Sequence, residues 1–477
     1  MENSDIKKLF NYDITNEKSI IERARLLKGK SLNDILVSSP LSKEIINTAN
    51  KGRVGNLIEK HWFGIDNNNL SEPDFKEVGI ELKVSPIKEM KSNILAVKER
   101  TKICRINYQT LVNEEWSESH AKSKLNKILF IFYKHDFNKD NWETQKILNF
   151  RLWSLSSDEL IISSEWFKTK DQVISGFAHT LSERNYQVLA PCTSGTGKNI
   201  PQPNTSNQAL AKERSFALKQ PFINFLWDTL NDSNKYESIK DNLDLSTNEN
   251  LELQVLSMIN NFSGKTINDI AKLTNAPILS SKNAVRSVIM KLLGFKNESS
   301  KIKEFSQLGI QIKVIPIDTK NKTLFESISF PAIKFKDFAH ESWKDSTLSL
   351  DLNKILFIPV SRDKLLNSDI KERILEKAFF WSPSITQEKL IKMEWLAYQN
   401  IVKQGVKIDK KPQNSKKGYV EVTSLPKESS TEIIHMRTHA KDSNDRDIDQ
   451  FGTSIVKHSF WLNKKFVNKL IKNSLNS

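Results

Sequence analysis

Three residues in the stretch 72–86 have the types and spacing for phosphate chemistry: Asp74, Glu81 and Lys83, in the pattern D-x6-E-x-K. Two carboxylates beside an ammonium suit Mg2+-dependent cleavage of a phosphodiester. A hard cation takes oxygen ligands, polarises the scissile phosphate and lowers the pKa of a bound water. The lysine then offsets charge on the phosphate or orients the attacking water. The rival reading is a surface strand edged with charge, and the spacing alone leaves both open.

The elements that would position these groups follow from local patterning. Ile80-Glu81-Leu82-Lys83-Val84 alternates at period two, which predicts a strand with Glu81 and Lys83 on one face. Gly79 permits a sharp approach of the loop carrying Asp74. Upstream, residues 50–63 read as a helix with Val54, Leu57, Ile58 and Trp62 on one apolar stripe and Glu59 at its border. A capped helix is expected at 15–28, strands near 102–107, 127–133 and 148–154, and a helix over 107–115. Residues 187–200 read as a Thr/Ser/Gly loop and 210–230 as a helix carrying Phe216, Phe222 and Phe225. Within that loop Ser194-Gly-Thr-Gly-Lys-Asn199 is not a P-loop: Cys192 stands where a glycine is required and Asn199 where Ser or Thr is required. Small residues there would still let backbone N–H groups approach an anion. His61 and His135 stand alone and read as structural or exposed; Trp62, Trp116, Trp343 and Phe216 read as core.

The chain has 477 residues, enough for several domains, and carries 72 Lys+Arg against 57 Asp+Glu, a net charge of +15. Such a balance favours a polyanionic partner, with nucleic acid the leading candidate over a lysine-rich solvated surface. Cys104 and Cys192 form no C-x-x-C pair, so neither a zinc site nor a disulfide framework is expected. The polar start and the lack of an 18-residue apolar run exclude a secretory signal and a membrane span, and the expected location is cytoplasmic. The polar stretch 233–250 reads as a linker between domains 1–232 and 251–477, and 407–431 as a loop or hairpin insertion.

The second half repeats the first. Phe75-Lys-Glu-Val-Gly-Ile-Glu-Leu-Lys-Val-Ser-Pro-Ile87 returns as Phe305-Ser-Gln-Leu-Gly-Ile-Gln-Ile-Lys-Val-Ile-Pro-Ile317. Gly29-Lys-Ser-Leu-Asn-Asp-Ile35 returns as Gly264-Lys-Thr-Ile-Asn-Asp-Ile270, and Leu125-Asn-Lys-Ile-Leu-Phe-Ile131 as Leu352-Asn-Lys-Ile-Leu-Phe-Ile358. Leu57-Ile-Glu-Lys60 matches Val288-Ile-Met-Lys291, and Ser215-Phe-Ala-Leu-Lys219 pairs more loosely with Ser459-Phe-Trp-Leu-Asn463. The copies part company at the acidic set. Asp74 becomes Glu304, Glu81 becomes Gln311 and Glu59 becomes Met290, while Lys83 is kept as Lys313. An amide and a thioether cannot replace anionic oxygens at a hard cation. The second copy thus keeps the scaffold and loses the metal chemistry.

Lys51-Gly-Arg-Val-Gly-Asn-Leu-Ile-Glu59, Pro73-Asp-Phe…Gly79-Ile-Glu-Leu-Lys83 and Arg214-Ser-Phe-Ala-Leu-Lys219 together resemble the MutH family of nucleases. The two-copy layout is similar to family members that are GATC-cutting type II restriction endonucleases, in which a catalytic amino-terminal domain precedes a non-catalytic copy. The resemblance implies an α/β tandem duplication of the restriction-endonuclease-like PD-(D/E)xK fold, a central mixed sheet flanked by helices. It implies cleavage of double-stranded 5′-GATC-3′ before the G, Mg2+ as cofactor, and a cognate methyltransferase in the same system. It places the catalytic set on Glu59, Asp74, Glu81 and Lys83, with Asp74 and Glu81 as metal ligands. DNA contacts are implied at Lys51, Thr193, Ser194, Lys198, Arg214 and Lys219. Pairing of two chains on DNA is expected, because one acidic set per chain cuts one strand. The alternatives are a methyl-directed nicking endonuclease of mismatch repair and a non-catalytic GATC-binding regulator.

Overall fold

The computed structural model describes residues 3–41, 52–66, 72–89, 95–136, 139–195, 197–204, 209–231, 235–239, 251–278, 283–295, 301–363, 369–412 and 419–476. The chain divides into two compact units, Met1–Ser233 and Asn234–Ser477. The first unit contains strands β1 (Ile80–Glu89), β2 (Leu95–Val97), β3 (Thr101–Arg105), β4 (Lys127–Lys134), β5 (Ile147–Ser154), β6 (Leu189–Thr193), β7 (Asn199–Ile200), β8 (Ala211–Lys212) and β9 (Arg214–Leu218).

Its main sheet has the order β2-β1-β4-β5. β1 runs parallel to β4, with Glu81 opposite Ile128 and Lys83 opposite Phe130; β2 and β5 pair antiparallel at the two sides. Residues 128–132 of β4 are all fully buried, as an inner strand covered on both faces requires, and so the run reads as unbroken apolar sequence. Helices cover this sheet. Glu17–Arg25 starts from Asn16, whose side chain accepts the N–H groups of Lys18 and Ser19, and Leu32–Ser38 starts from a Ser31–Asp34 capping box. The apolar stripe expected upstream of the acidic set is present: Val54, Leu57, Ile58 and Trp62 are buried against Ile80, Leu82 and Leu129. The helix Arg53–Leu57 widens into a π-helical turn, Ile58–Phe63, that ends at Gly64. Trp62 is held from both sides, donating to the Arg23 carbonyl at 3.1 Å while the Arg23 guanidinium stacks 3.9 Å from its ring.

A second, antiparallel sheet of order β3-β9-β6 stands beside the first. Here two sequence expectations fail. Residues 187–200 are not simply a loop but include β6 and β7, and the helix expected over 210–230 begins only at Gln220, after β8 and β9. β9 is the middle strand and all five of its residues are buried. Burial from two sides outweighs the helical spacing of the phenylalanines, and Pro191 and Cys192 hide the alternation of β6. The helix expected over 107–115 contracts to Tyr108–Leu111.

The second unit contains β10 (Tyr236–Glu237), β11 (Lys301–Ile302), β12 (Ile310–Asp318), β13 (Ile328–Ala332), β14 (Lys354–Arg362), β15 (Ile374–Leu375), β16 (Phe379–Trp381), β17 (Ile408–Pro412), β18 (Tyr419–Thr423), β19 (Ile434–Thr438), β20 (Arg446–Ile448), β21 (Ser454–Val456) and β22 (His458–Leu462). β12 lies parallel to β14 in the register of the first unit, Gln311 opposite Ile355 and Lys313 opposite Phe357. β13-β22-β19 repeats β3-β9-β6. Gly79 and Gly309 close the turn before the corresponding strands at φ 64° and 65°, the left-handed region where a Cβ is disfavoured. The stretch 407–431 contains the β17–β18 hairpin. Part of the stretch read as a linker is ordered into the second unit: β10 pairs with β11, and Ile239 is fully buried.

Among the described residues no helix is long and apolar enough to cross a membrane. Both cysteines are free and buried.

Candidate active site

Glu81 is the centre of the site. It leaves the inner face of β1 into the protein and is 1% exposed. A buried carboxylate needs charged or hydrogen-bonding partners, and it has two cations. Lys83 Nζ donates to Oε1 at 2.6 Å, and Lys124 Nζ donates to Oε1 and Oε2 at 3.1 Å each. Lys124 comes from the short helix His120–Leu125, which leads into β4. Sequence reasoning passed over it. The signal was there: at the offset of 227 residues between Leu125 and Leu352, Lys124 faces Asp351, one more position where the copies differ in charge.

Asp74 lies in the turn before Gly79, and the Leu82 N–H donates to its Oδ2 at 2.8 Å, tying the turn to β1. Burial raises its pKa and the neighbouring Glu81 adds to that, while Lys83 opposes. Glu59, on the π-helical turn, approaches from the helix side. Burial pushes it up to about 7, with repulsion from Asp74 and Glu81 adding to the shift and Lys83 and Lys124 opposing it. A Cβ built on Gly55, one helical turn earlier, would lie 3.8 Å from Glu59 Oε1. Burial alone would lower the Lys83 ammonium, yet Glu81, Asp74 and Glu59 outweigh it and hold the group above the usual lysine range. Lys83 is therefore a cation here. That suits a donor to phosphate or water.

The four residues expected to be catalytic thus come together, with Lys124 as a fifth. The donor set is oxygen-only and crowded with like charge, and a divalent cation would offset that repulsion. Among the described residues no group of three or more His, Cys, Asp or Glu forms a ready-made metal cage.

The residues expected to touch DNA are placed more diversely. Lys51 lies outside the described residues. Thr193 ends β6, and Ser194 follows it, its hydroxyl accepting from Ser215 at 2.9 Å. Lys198 is exposed at the end of the turn that joins β6 to β7, with the Glu213 N–H donating to its carbonyl. Arg214 points inward: it is buried and its guanidinium donates to the carbonyls of Pro191, at 2.7 Å, and Leu181. Lys219 donates to the Tyr186 carbonyl at 2.9 Å. In the second unit its counterpart Asn463 donates to the Thr431 carbonyl at 2.9 Å. Arg214 and Lys219 therefore brace the sheet from which that turn leaves. Glu165 does the same, its carboxylate accepting the backbone N–H groups of Gln187, Val188 and Leu189, as Glu394 does for Glu432, Ile433 and Ile434.

The same place in the second unit is rebuilt. Glu304 is buried and turned to other work, accepting from the Ser238 hydroxyl at 2.5 Å and the Ile239 N–H at 2.9 Å. Gln311 is exposed and Met290 is buried. Lys313 donates to the Ser329 carbonyl at 2.9 Å and lies 4.8 Å from the centre of the Phe330 ring.

Comparison with known proteins agrees with this duplicated arrangement. The family described as "DNA mismatch repair enzyme MutH" matches residues 63–165 and again 293–394. The type II restriction enzyme Sau3AI of Staphylococcus aureus is 26% identical over 96% of this chain and 99% of that enzyme. The DNA mismatch repair protein MutH of Haemophilus ducreyi is 25% identical over 49% of this chain and 98% of that protein. MutH of Actinobacillus pleuropneumoniae serotype 5b is 30% identical over 32% of this chain and 68% of that protein. The chain belongs to the MutH family and carries the family's domain twice.

Proposed function

We propose that the chain is a type II restriction endonuclease that cuts double-stranded DNA at 5′-GATC-3′, before the G, with Mg2+ as cofactor. The observation that carries this reading is the cluster of Glu59, Asp74, Glu81, Lys83 and Lys124, assembled in the first unit and dismantled in the second. Similarity along nearly the whole chain to a type II restriction enzyme favours this reading over a nicking enzyme of repair, since the MutH protein of H. ducreyi corresponds to about one half. The intact first-unit cluster speaks against a regulator that only binds.

Asp74 and Glu81 are the residues that would hold Mg2+, with Glu59 completing the shell of metal or water. When bound, the cation supplies charge stabilisation at the scissile phosphate and a more acidic water. The chain's own groups do the positioning. The Leu82 N–H fixes one Asp74 oxygen and leaves the other for ligation. Lys83 and Lys124 offset the charge of the buried Glu81 carboxylate. Lys83, held as a cation, donates to a phosphate oxygen or to the water that attacks phosphorus as the leaving oxygen departs. Lys198, Thr193 and Ser194 put the turn between β6 and β7 forward as the base-reading element, and Lys51 is proposed to reach phosphate. The second unit acts as an added DNA-binding domain.

One acidic cluster per chain cuts one strand, so a break across the palindrome requires two chains paired on DNA or two successive events; pairing is the reading adopted here. A cognate methyltransferase would protect the host's own sites. The test is incubation with Mg2+ and plasmid, methylated or unmethylated, followed by sequencing of the ends. Ends opening on GATC are expected. Intact plasmid at all Mg2+ concentrations, or ends of random sequence, would overturn the proposal.

A further inference from the structure

Arg105 and Glu213 form an ion pair that belongs neither to the acidic cluster nor to the bracing of the sheet. Arg105 ends β3 opposite Ser215 of β9, and Thr193 ends β6 opposite Arg214, so both strands finish where β9 begins. Glu213 stands just before β9 and is fixed by its backbone to the turn between β6 and β7. Its carbonyl accepts the Ser194 N–H at 2.9 Å, and its N–H donates to the Lys198 carbonyl at 2.8 Å. The Glu213 carboxylate meets the Arg105 guanidinium through Oε1, and a Cβ built on Gly195 would lie 3.7 Å from Oε2. The Glu213 side chain is 13% exposed and that of Arg105 67%, so the acid is seated in the turn and the guanidinium faces solvent. The helix His120–Leu125, which sends Lys124 to Glu81, packs against β3. The second unit keeps the backbone of this edge and not the pair. The His439 N–H donates to the Lys457 carbonyl at 2.8 Å, as Ser194 does to Glu213, and the Ile333 N–H to the His458 carbonyl at 2.9 Å, as Ile106 does to Arg214. Yet Ala332 replaces Arg105, and Lys457, paired with Asp445, replaces Glu213. An exposed ion pair adds little to stability, so stability does not explain why the pair is confined to the unit with the acidic cluster.

We propose that Arg105 and Glu213 are a specificity-determining pair that reads the outer G·C base pair of the target in the major groove. The proposal rests on the reading of the chain as a GATC nuclease and deepens it. A guanidinium fork matches the O6 and N7 acceptors of guanine, and a carboxylate accepts the N4 amino group of cytosine. An ion pair sets that fork and that acceptor side by side, as the two edges of one base pair require. Glu213, tied into the turn, aims the fork in the free protein and keeps Arg105 from spending its donors on phosphate.

The test uses the full chain and three duplexes: GATC, the same site with its outer pairs exchanged to CATG, and GATC carrying 7-deazaguanine, which lacks N7. Cleavage is followed with Mg2+, and binding is followed separately with Ca2+ in its place. The parent should favour GATC over CATG and lose about tenfold on 7-deazaguanine. In Arg105→Ala the preference should fall by about tenfold or more, and 7-deazaguanine should bring no further loss. Arg105→Lys should not restore the preference, since a point charge lacks the fork. Glu213→Gln, which keeps the size and loses the charge, should relax the preference while the penalty for 7-deazaguanine stays. Melting temperatures should remain those of the parent, because Arg105 is exposed. An equal fall on all three duplexes in Arg105→Ala, with the preference kept, would make the pair a plain brace of the turn and overturn the proposal. A full penalty for 7-deazaguanine in Arg105→Ala would overturn it too. Failure of the parent to cut GATC with Mg2+ would count against the nuclease reading alone, since discrimination in binding tests the pair without it.

Discussion

Lys83 and Lys313 stand at the same register position on the same strand of two copies of one fold, in opposite electrostatic surroundings. Around Lys83 three carboxylates outweigh burial and keep the ammonium above its usual range. Around Lys313 burial and Arg286 outweigh Asp351, and the lysine is lowered. The backbone does not account for the difference, because β1 on β4 and β12 on β14 share their register and the glycine turn before them. Side chains at five corresponding positions, 55, 59, 74, 81 and 124, differ instead. The comparison teaches that the strand pair is a neutral platform, and that chemistry on it is set by which charges surround one lysine.

The sharpest way to break this comparison is to move single residues between copies. Lys124→Asp, which copies Asp351, leaves Glu81 with one cation and adds a repelling anion. Cutting should fall by about a thousandfold or more, in keeping with the loss of a group that acts as a unit with others. Stability should drop by about 3 kcal/mol or more, as when a buried pair loses a partner. Single-turnover cleavage and urea unfolding measure the two effects, and parent-like rates would remove Lys124 from the site. The reverse transfer should fail. Gln311→Glu with Met290→Glu, made in a protein whose first unit carries Asp74→Asn, should restore no cutting, because Glu304 remains held by Ser238 and Ile239. Cleavage above the Asp74→Asn background would show that two carboxylates are enough.

Smaller effects distinguish bracing residues from reading residues. Arg214→Ala should cost about 2–3 kcal/mol, since buried carbonyls of Pro191 and Leu181 lose charged donors. Lys198→Ala should leave stability within about 0.5 kcal/mol and weaken DNA binding. The opposite outcome, a stable Arg214→Ala with selective loss of binding, would return Arg214 to the DNA surface.

The smallest effect is a pH asymmetry. His135 is lowered to about 4 by burial, with Lys98 beside it adding to the shift, whereas its counterpart at the same offset is Arg362. A base whose folded pKa is depressed binds fewer protons in the native state than unfolded. Its contribution is fully present above the ordinary histidine range and is lost as pH falls from about 6.5 toward 4. On acidification over that window the parent should lose more of the first unit's melting temperature than His135→Arg does. Calorimetry of the parent and of His135→Arg checks this; identical pH slopes would count against it.

How much of this was legible in the sequence depends on how far each signal travels. Asp74, Glu81 and Lys83 were readable because alternation and the glycine turn act over a few residues, and the internal repeat supplied a comparison within one chain. Lys124 was not singled out, since it reaches Glu81 from another element 43 residues away. Arg214 was placed on the DNA side because, on a strand buried on both faces, alternation does not tell which way a basic side chain points. β6 was missed because a proline and a cysteine interrupt its pattern, and tertiary pairing with β9 supplies what local propensity lacks. The site was therefore legible in its acidic centre and obscure at its DNA-facing rim.

The central claim is that the first unit alone cuts, through Glu81. The most direct measurement is single-turnover cleavage of a GATC duplex at saturating Mg2+ by two mirror-image variants, Glu81→Gln and Gln311→Glu. The account predicts that Glu81→Gln binds the duplex but retains less than about one thousandth of the parent rate, while Gln311→Glu cuts at the parent rate. Retention of more than a few per cent of cutting by Glu81→Gln, or abolition of cutting by Gln311→Glu, would contradict it.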